Sequence, residues 1–243
     1  MRGAVRMITE IKGELQKRIN PEKAEFLPRF FQAQPGGYGE GDVFWGVVVP
    51  EQRRIARRFY RRISLQELEA LLQDPVHECR FTALAMLVLK FEKAREEGER
   101  REIAELYLAN ADYVNNWDLV DASADKMLGA YIYNKDRGVL WELAHSGHLW
   151  RERIAVMATF YFIRQGDFAE TLKLAEFFLG HEHDLIHKAV GWMLREIGKR
   201  DFETEYAFLK KHYQKMPRTM LRYAIEKFDP ELRRRFLAGL VRL

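Results

Sequence analysis

Residues 150–158 read WRERIAVMA, a basic turn that leads into a run of apolar side chains. Comparable stretches recur along the chain, each with a basic or aromatic residue early in a helix-like pattern. These residues are Arg80, Trp117, Arg153, Lys188 and Arg222, separated by 37, 36, 35 and 34 positions. A period in the mid-thirties to forties is typical of stacked helix pairs, as in HEAT-like solenoids. The alternative is that an all-helical chain offers such a period by chance.

Most of the chain shows the helical spacing of apolar residues, and short Gly- and Pro-containing breakers separate the segments. The first twenty residues mix charges of both signs with spaced aliphatic residues, which predicts an amphipathic helix rather than a signal peptide. The only β-like run is Val43–Val49, which ends at Pro50. Six further helices are predicted at Arg80–Lys93, Val139–Ala144, Trp150–Gln165, Phe168–Leu179, Leu185–Lys199 and Phe202–Tyr213.

The predicted fold is therefore all-α, a HEAT-like α-solenoid of stacked antiparallel helix pairs that forms one domain over residues 1–243. Hydrophobic residues make up 47% of the chain and charged residues 31%, which allows both a core and a solvated surface. No apolar stretch is long enough to span a bilayer. The single cysteine, Cys79, excludes an internal disulfide and fits a reducing cytoplasm. The net charge of +4 permits a nucleic-acid partner without requiring one.

The repeat register predicts which side chains share a surface. Asp121 stands four residues, or one helical turn, after Trp117, and Trp192 stands four residues after Lys188. We therefore expect these four residues and Arg153 to lie on one concave face. Indoles, a carboxylate and cations are unusual on a core-facing surface. The two basic residues would contact phosphates if the face holds a polyanion, and surface ion pairing is the alternative.

Trp117 and Asp121 stand at i and i+4 and are therefore neighbours on a helix. A carboxylate flanked by indoles would be partly desolvated, and its charge would act more strongly there than in water. The structural alternative is a helix N-terminus, with Asn115, Asn116 or Asp118 as the cap and Asp121 on a solvated first turn.

A second basic feature is the run RRIARRFYRR at residues 53–62. Arg54, Arg57, Arg58 and Arg61 fall on one helical face, which favours a ridge that binds a nucleic-acid backbone. A solvated helix face is the alternative interpretation.

Other chemical signals are weak. His181, His183 and His187 stand close together, but the glutamate of a His-Glu-x-x-His zinc motif is missing, so a helical metal site is only a weak candidate. The glycines at 36–39 precede the β-like run instead of a helix, which argues against a phosphate-binding loop. The sequence therefore predicts neither a metal nor another cofactor.

Three segments together resemble the AlkD-type DNA alkylation repair glycosylases, and the resemblance covers roughly residues 38–225. The segments are Trp117-x-x-x-Asp121; the stretch KAVGWMLRE at 188–196; and Tyr38 with FWGV at 44–47, Pro50, Arg53 and Arg54. WRERIA at 150–155 also fits that pattern. Val47 and Val190 stand where the family often has isoleucine.

The resemblance implies a HEAT-like solenoid that grips duplex DNA in a basic concave groove. It also implies hydrolysis of the glycosidic bond of cationic 3-alkyladenine or 7-alkylguanine, in base excision repair and by a monomer. By position, Asp121 would be the catalytic carboxylate, with Trp117 and Trp192 as its aromatic flanks. Arg153, or Arg151 two residues before it, would hold the DNA backbone. Tyr38 would correspond to an aromatic residue near the site.

Two other classes of function remain open. A noncatalytic paralogue could use the same basic groove to bind distorted or branched DNA; the carboxylate of Asp121 between two indoles argues against it. A protein–protein scaffold, the common role of α-solenoids, would present apolar or mixed residues on the concave face.

Overall fold

The computed structural model describes residues 2–241, with side chains from residue 7 onwards. Its first eight helices cover the N-terminal half of the chain. They are α1 (Arg2–Gln16), α2 (Pro21–Phe30), α3 (Val49–Phe59), α4 (Leu65–Leu72), α5 (His77–Lys93), α6 (Glu97–Ala109), α7 (Trp117–Ser123) and the short α8 (Ala130–Ile132). A 3-10 turn, Ala111–Tyr113, precedes α7, and a π-helical segment, Asp125–Gly129, connects α7 to α8.

The C-terminal half continues in the same way. Its helices are α9 (Gly138–Ala144), α10 (Leu149–Arg164), α11 (Ala169–Phe177), α12 (Asp184–Gly198), α13 (Phe202–His212), α14 (Arg218–Ala224) and α15 (Pro230–Leu237). The six further helices predicted are all present, with ends that differ from the prediction by three residues or fewer, and the N-terminal helix ends at Gln16, four residues before the predicted end. Of the described residues, no helix is long and apolar enough to cross a membrane.

The chain forms two compact units, which divide between residues 131 and 132. In the first unit, α5 packs against α3, α4 and α7, and α1 packs against α3. In the second, α12 packs against α10, α13 and α14, while α10 also contacts α9 and α11. Most successive helices are joined by short connections, apart from residues 31–48 between α2 and α3. The predicted all-α class, built from packed helix pairs, is confirmed.

The β-like run Val43–Val49 does not form a strand, because its backbone donors bind a side chain in place of a partner strand. The Glu78 carboxylate accepts hydrogen bonds from the backbone N–H groups of Gly46 at 2.7 Å and of Val47 at 3.1 Å, and also from the preceding tryptophan. Only an isolated bridge joins Val43 to Val76. The last residue of the run begins α3. The prediction of β structure here is wrong.

Candidate nucleic-acid interface

Trp117 and Asp121 lie one turn apart on α7, as their spacing predicts. Trp117 is the first residue of the helix, and the buried side chain of Asn116 caps it by accepting the Trp117 N–H at 2.9 Å. Asp121 stands inside the helix and is partly exposed, as is Trp117. The capping alternative therefore applies to Asn116 and leaves the Asp121 carboxylate outside the helix cap.

A stack of aromatic rings supports the Trp117 indole. Phe31 is buried and stacks on Trp117 with ring centroids 5.3 Å apart, while its ring lies nearly parallel to that of Phe44 at 5.4 Å. Phe30 meets the indole edge-on at 5.9 Å. Such contacts fix an indole plane more closely than area burial alone. No local sequence pattern indicates this support, because the phenylalanines lie more than 70 positions before Trp117.

A buried polar network lies at the start of α7. His77 places Nε2 at 2.8 Å from Asp118 and Nδ1 at 3.1 Å from Asp42. Arg80 pairs with Asp42 at 2.6 Å, and the amide of Asn115 donates to Asp42 at 3.2 Å. Burial lowers the pKa of His77, but the two carboxylates outweigh burial and raise that pKa to about 9. Burial acts to raise the pKa of Asp42, yet the bond to His77 and the charge of Arg80 hold it below its usual value.

The glycine-rich loop that carries Tyr38 passes against the same end of α7. A Cβ atom at Gly39 would stand 2.4 Å from the carbonyl oxygen of Phe31 and 2.9 Å from the amide nitrogen of Asn116. Only a glycine permits that approach. Tyr38 is half-buried beside it. The structure therefore places Tyr38 in a loop that adjoins the residues around Trp117.

Two arginines of α3 line a cleft that reaches α7. Arg53 and Arg57 are exposed and line a cavity of about 130 Å³. The other residues that line it include Lys126, Glu92, Phe81 and Ala122. Ala122 is the residue after the candidate carboxylate. The cleft therefore joins cationic groups of α3 to the surface of α7. Arg57 is among the DNA contacts predicted from the sequence, whereas Arg53 and Lys126 are not. Only the packing of α3 and α7 on α5 brings these residues to one cleft.

Of the other predicted arginines of this run, Arg54 and Arg58 lie on α3, whereas Arg61 lies beyond the end of the helix at Phe59. Arg54 forms an ion pair with Glu51, and Arg58 lies 3.5 Å from Glu14 of α1. Arg61 donates to the hydroxyl of the tyrosine before it and stacks on that ring. The arginine run is thus divided between two sides of the helix instead of forming the single ridge predicted. Arg58 is partnered by Glu14 of α1 and Arg54 by Glu51 of α3 itself, so both have partners within the protein.

The basic residues of the second unit differ in their accessibility. Arg153 is only 4% exposed, and its Nη1 donates to the backbone oxygen of Leu185 at 2.5 Å. Arg151 is partly exposed. Lys188 is also partly exposed and pairs with Asp184 at 2.7 Å. Arg153 therefore offers a phosphate little surface, in contrast to the prediction, and Arg151 is the better placed of the two arginines.

Trp192 lies on α12 with its indole held within its own helix. Its Nε1 donates to Glu196 at 3.2 Å, and Phe160 of α10 contacts the ring at 6.0 Å between centroids. Glu196 also accepts hydrogen bonds from Lys199 and Arg200. Burial acts to raise the pKa of Glu196, but those two cations lower it, so the carboxylate that orients the indole is ionised.

The three histidines near α12 organise a loop. His181 accepts the backbone N–H of His183 at Nδ1 and faces Glu152 with Nε2 at 3.0 Å. His183 caps α12 by accepting the N–H of Leu185, and His187 bonds to the carbonyl of His181. Across the described residues, no three His, Cys, Asp or Glu side chains are grouped so that they could hold a metal ion.

This chain is an all-α protein built from packed helices, and its first unit carries both the Trp117 indole and the cleft lined by Arg53 and Arg57. The profile of the family described as DNA alkylation repair enzyme matches residues 11–228, and the chain belongs to that family. A solved structure described as a predicted DNA alkylation repair enzyme from Enterococcus faecalis is similar, with a TM-score of 0.70 and 18% identity. The match covers 88% of this chain and 98% of that one, and it shows the shared fold. A search of curated protein sequences found no match.

Proposed function

We propose that this protein is a DNA glycosylase that releases cationic alkylated purines, 3-alkyladenine and 7-alkylguanine, from duplex DNA. The observation that carries the proposal is the position of Asp121 on α7, one turn from an indole fixed by aromatic stacking and one residue before Ala122, which lines a cleft with Arg53 and Arg57. Family membership supports a role in alkylation repair. The protein would act as a monomer in the cytoplasm, at the nucleoid.

The chemistry matches the side chains. An alkyl group on N3 or N7 gives the purine a positive charge, so the base leaves without being protonated. The C1′–N9 bond breaks, its electron pair neutralises the base, and the sugar gains oxocarbenium character. Asp121 would stabilise that cation and accept a proton from the water that adds to C1′. The products are the neutral alkylated base and an abasic sugar.

The indoles would stabilise positive charge and would not transfer protons. A cation held over an indole face is stabilised by about 0.5 to 2 kcal/mol, so Trp117 and Trp192 would favour a charged lesion over a neutral base. We assign Trp192 this role from the resemblance and from its partly exposed indole.

Each unit, taken by itself, carries cations that would contact phosphates. In the first, Arg53, Arg57 and Lys126 surround the cleft next to α7. In the second, Arg151 and Lys188 are partly exposed on α10 and α12. Contacts of this kind position the duplex and carry no sequence information, which suits an enzyme that must act at any damaged site.

A noncatalytic DNA-binding protein is the second candidate, because the same cationic cleft would serve it equally well. The two functions differ in the need for Asp121. A binder gains nothing from a carboxylate that faces a polyanion, whereas the hydrolysis requires one.

The test is incubation of the protein with a duplex that contains 7-methylguanine, with the free base measured by chromatography. Asp121→Asn keeps the size of the side chain and removes its charge, so release should slow by ~10²–10³-fold. Asp112→Asn, an exposed aspartate of the same unit, is the matched control and should act at the wild-type rate.

Three outcomes separate the candidates. Release by wild type that Asp121→Asn abolishes supports the glycosylase, and duplexes with uracil should then stay intact, because uracil leaves without a positive charge to relieve. Release by Asp121→Asn at the wild-type rate overturns the mechanism. Tight binding of the duplex without any release identifies the noncatalytic binder.

A further inference from the structure

We infer that His77, as an imidazolium held between Asp118 and Asp42, is a positioning residue that fixes the first turn of α7 and through it Trp117 and Asp121. This inference rests on the proposed glycosylase function for its consequence in catalysis. Its geometric part, the control of Trp117 by His77, stands without that function.

The geometry requires a doubly protonated ring. Nε2 lies 2.8 Å from an oxygen of Asp118, and Nδ1 lies 3.1 Å from an oxygen of Asp42. A neutral imidazole has one N–H and could satisfy only one of these acceptors, while an ionised carboxylate can only accept. Because His77 is 3% exposed, water does not supply the missing donor. Both ring nitrogens therefore carry protons.

The ring reaches the functional helix by two routes. Asp118 is the residue directly after Trp117, so its bond to His77 fixes the first turn of α7. The second route is the aromatic stack: Phe31 lies 4.8 Å from the His77 ring on one side and 5.3 Å from the Trp117 indole on the other. Phe44 also stacks on the His77 ring, with ring centroids 4.9 Å apart. Movement of His77 would therefore be transmitted to both the backbone and the indole plane.

The position of this turn matters for the reaction proposed above. A carboxylate that stabilises a transient cation acts through a fixed distance, and a displacement of about 1 Å can cost ~10²-fold in rate. The first turn of a helix has backbone N–H groups without partners inside the helix, so its position depends on contacts from outside. At α7 these contacts are the Asn116 cap and the bond from Asp118 to His77.

Loss of one ring proton should break one of the two hydrogen bonds of His77 and so loosen the first turn of α7. The charged groups that face His77 are Asp42 from the loop before α3, Asp118 from α7 and Arg80 from its own helix, α5. Glu78, the next residue on α5, binds the backbone of residues 45–47. The two carboxylates outweigh Arg80, so the imidazolium persists at neutral pH and is lost near pH 9.

The experiment labels the protein with 5-fluorotryptophan and follows it by ¹⁹F NMR from pH 6.5 to 10. The chain has five tryptophans, and the Trp117 signal is assigned from its absence in Trp117→Phe. In wild type this signal should shift with a midpoint near 9. His77→Gln, which keeps hydrogen-bonding capacity without the charge, should abolish the titration and place the signal at a new position at every pH.

Excision of 7-methylguanine is then measured on the same samples under single-turnover conditions. His77→Gln should release base about 10- to 100-fold more slowly than wild type at neutral pH, with DNA affinity within about twofold. His212→Gln is the control, since it alters another buried histidine, in the second unit 3.8 Å from Glu176. It should leave both the Trp117 signal and the rate unchanged.

Asp118→Asn is the second variant, to be used if His77→Gln does not fold. The asparagine keeps an acceptor for Nε2, and residue 118 lies nearer the surface than His77. It should move the midpoint of the Trp117 signal below that of wild type. A Trp117 signal that is independent of pH in wild type, and unchanged in both variants, overturns the inference. If wild type releases no alkylated base, the proposed function fails, while the NMR titration still decides whether His77 positions Trp117.

Discussion

At the scale of the residue, two tryptophans of the second unit make the same contact in different places. The Nε1 of Trp192 donates to Glu196 at 3.2 Å, and the Nε1 of Trp141 donates to Glu170 at 3.1 Å. Only Trp192 stands in the segment that resembles the alkylation repair glycosylases. Comparing a substitution at each tryptophan therefore separates the electrostatic role of an indole from its contribution to the fold.

Trp192→Ala should slow release of 7-methylguanine by a few-fold to about 30-fold, because the indole contributes only a cation–π interaction of about 0.5 to 2 kcal/mol. That loss is smaller than the one expected for Asp121→Asn. Trp141→Ala removes a matched indole and should leave the rate unchanged. Equal losses in the two variants would show that Trp192 acts through stability alone. The measurement is single-turnover release with both proteins checked for folding by circular dichroism.

At the scale of the element, α3 carries arginines in two environments. Arg57 lines the cleft that reaches α7, whereas Arg58, the next residue, faces Glu14 of α1. The two variants Arg57→Ala and Arg58→Ala change the net charge equally and alter the same helix. They differ only in which side of α3 loses its cation.

Binding of undamaged duplex should weaken steeply as salt rises, with each neutralised phosphate contributing about −0.9 to the log–log slope. Arg57→Ala should make that slope shallower by about 0.9, since a phosphate contact is lost. Arg58→Ala should change it much less, because its cation already faces a carboxylate. The measurement is fluorescence anisotropy between 50 and about 300 mM salt. Equal slopes in the two variants would remove Arg57 from the interface.

The packing of α12 against α14 depends on a close approach at Gly191. A Cβ atom there would stand 2.4 Å from the backbone oxygen of Met220 and 2.6 Å from Cβ of Tyr223. Because backbone cannot move aside as a flexible side chain can, Gly191→Ala should lower the free energy of unfolding by about 1 to 3 kcal/mol. Gly13→Ala in α1, where nothing lies within 4 Å, is the control and should be neutral or stabilising. Urea unfolding measures both.

At the scale of the whole molecule, two buried groups link stability to pH in the same direction. His77 has its pKa raised to about 9 by the carboxylates around it. Burial raises the pKa of Glu205 to about 8, against the charge of Arg195. Glu205 is 2% exposed and packs against Gly198 of α12. Each group binds its proton more tightly in the folded chain, so the stability it contributes is present at low pH and is lost as pH rises through the folded-state pKa.

The free energy of unfolding should therefore fall between pH 7 and 9.5, by about 2 kcal/mol from His77 and about 1 kcal/mol from Glu205. Glu205→Gln keeps the shape of the carboxyl group without an ionisable proton. It should remove the part of the fall in unfolding free energy that Glu205 contributes. Urea unfolding at several pH values measures both curves. A stability that stays constant to pH 9.5 would show that neither group has the raised pKa assigned to it.

The sequence by itself determined the features that depend on local order. The helical period of apolar residues predicted the helices and their ends, because a buried stripe recurs every 3.6 residues whatever it packs against. The i, i+4 spacing of Trp117 and Asp121 placed them on one surface of α7 for the same reason. The Lys-Ala-Val-Gly-Trp stretch indicated the family from residue order alone.

Only the tertiary structure decided what each polar side chain meets. Arg153 and Arg151 are alike in sequence, but packing buries the first and leaves the second partly exposed. Val43–Val49 has the composition of a strand, yet the carboxylate of Glu78, some thirty positions later, binds its backbone donors. His77 gave no signal because its partners, Asp42 and Asp118, lie 35 and 41 positions away. Long-range contacts of this kind depend on how helices pack, and a pattern of neighbouring residues does not encode them.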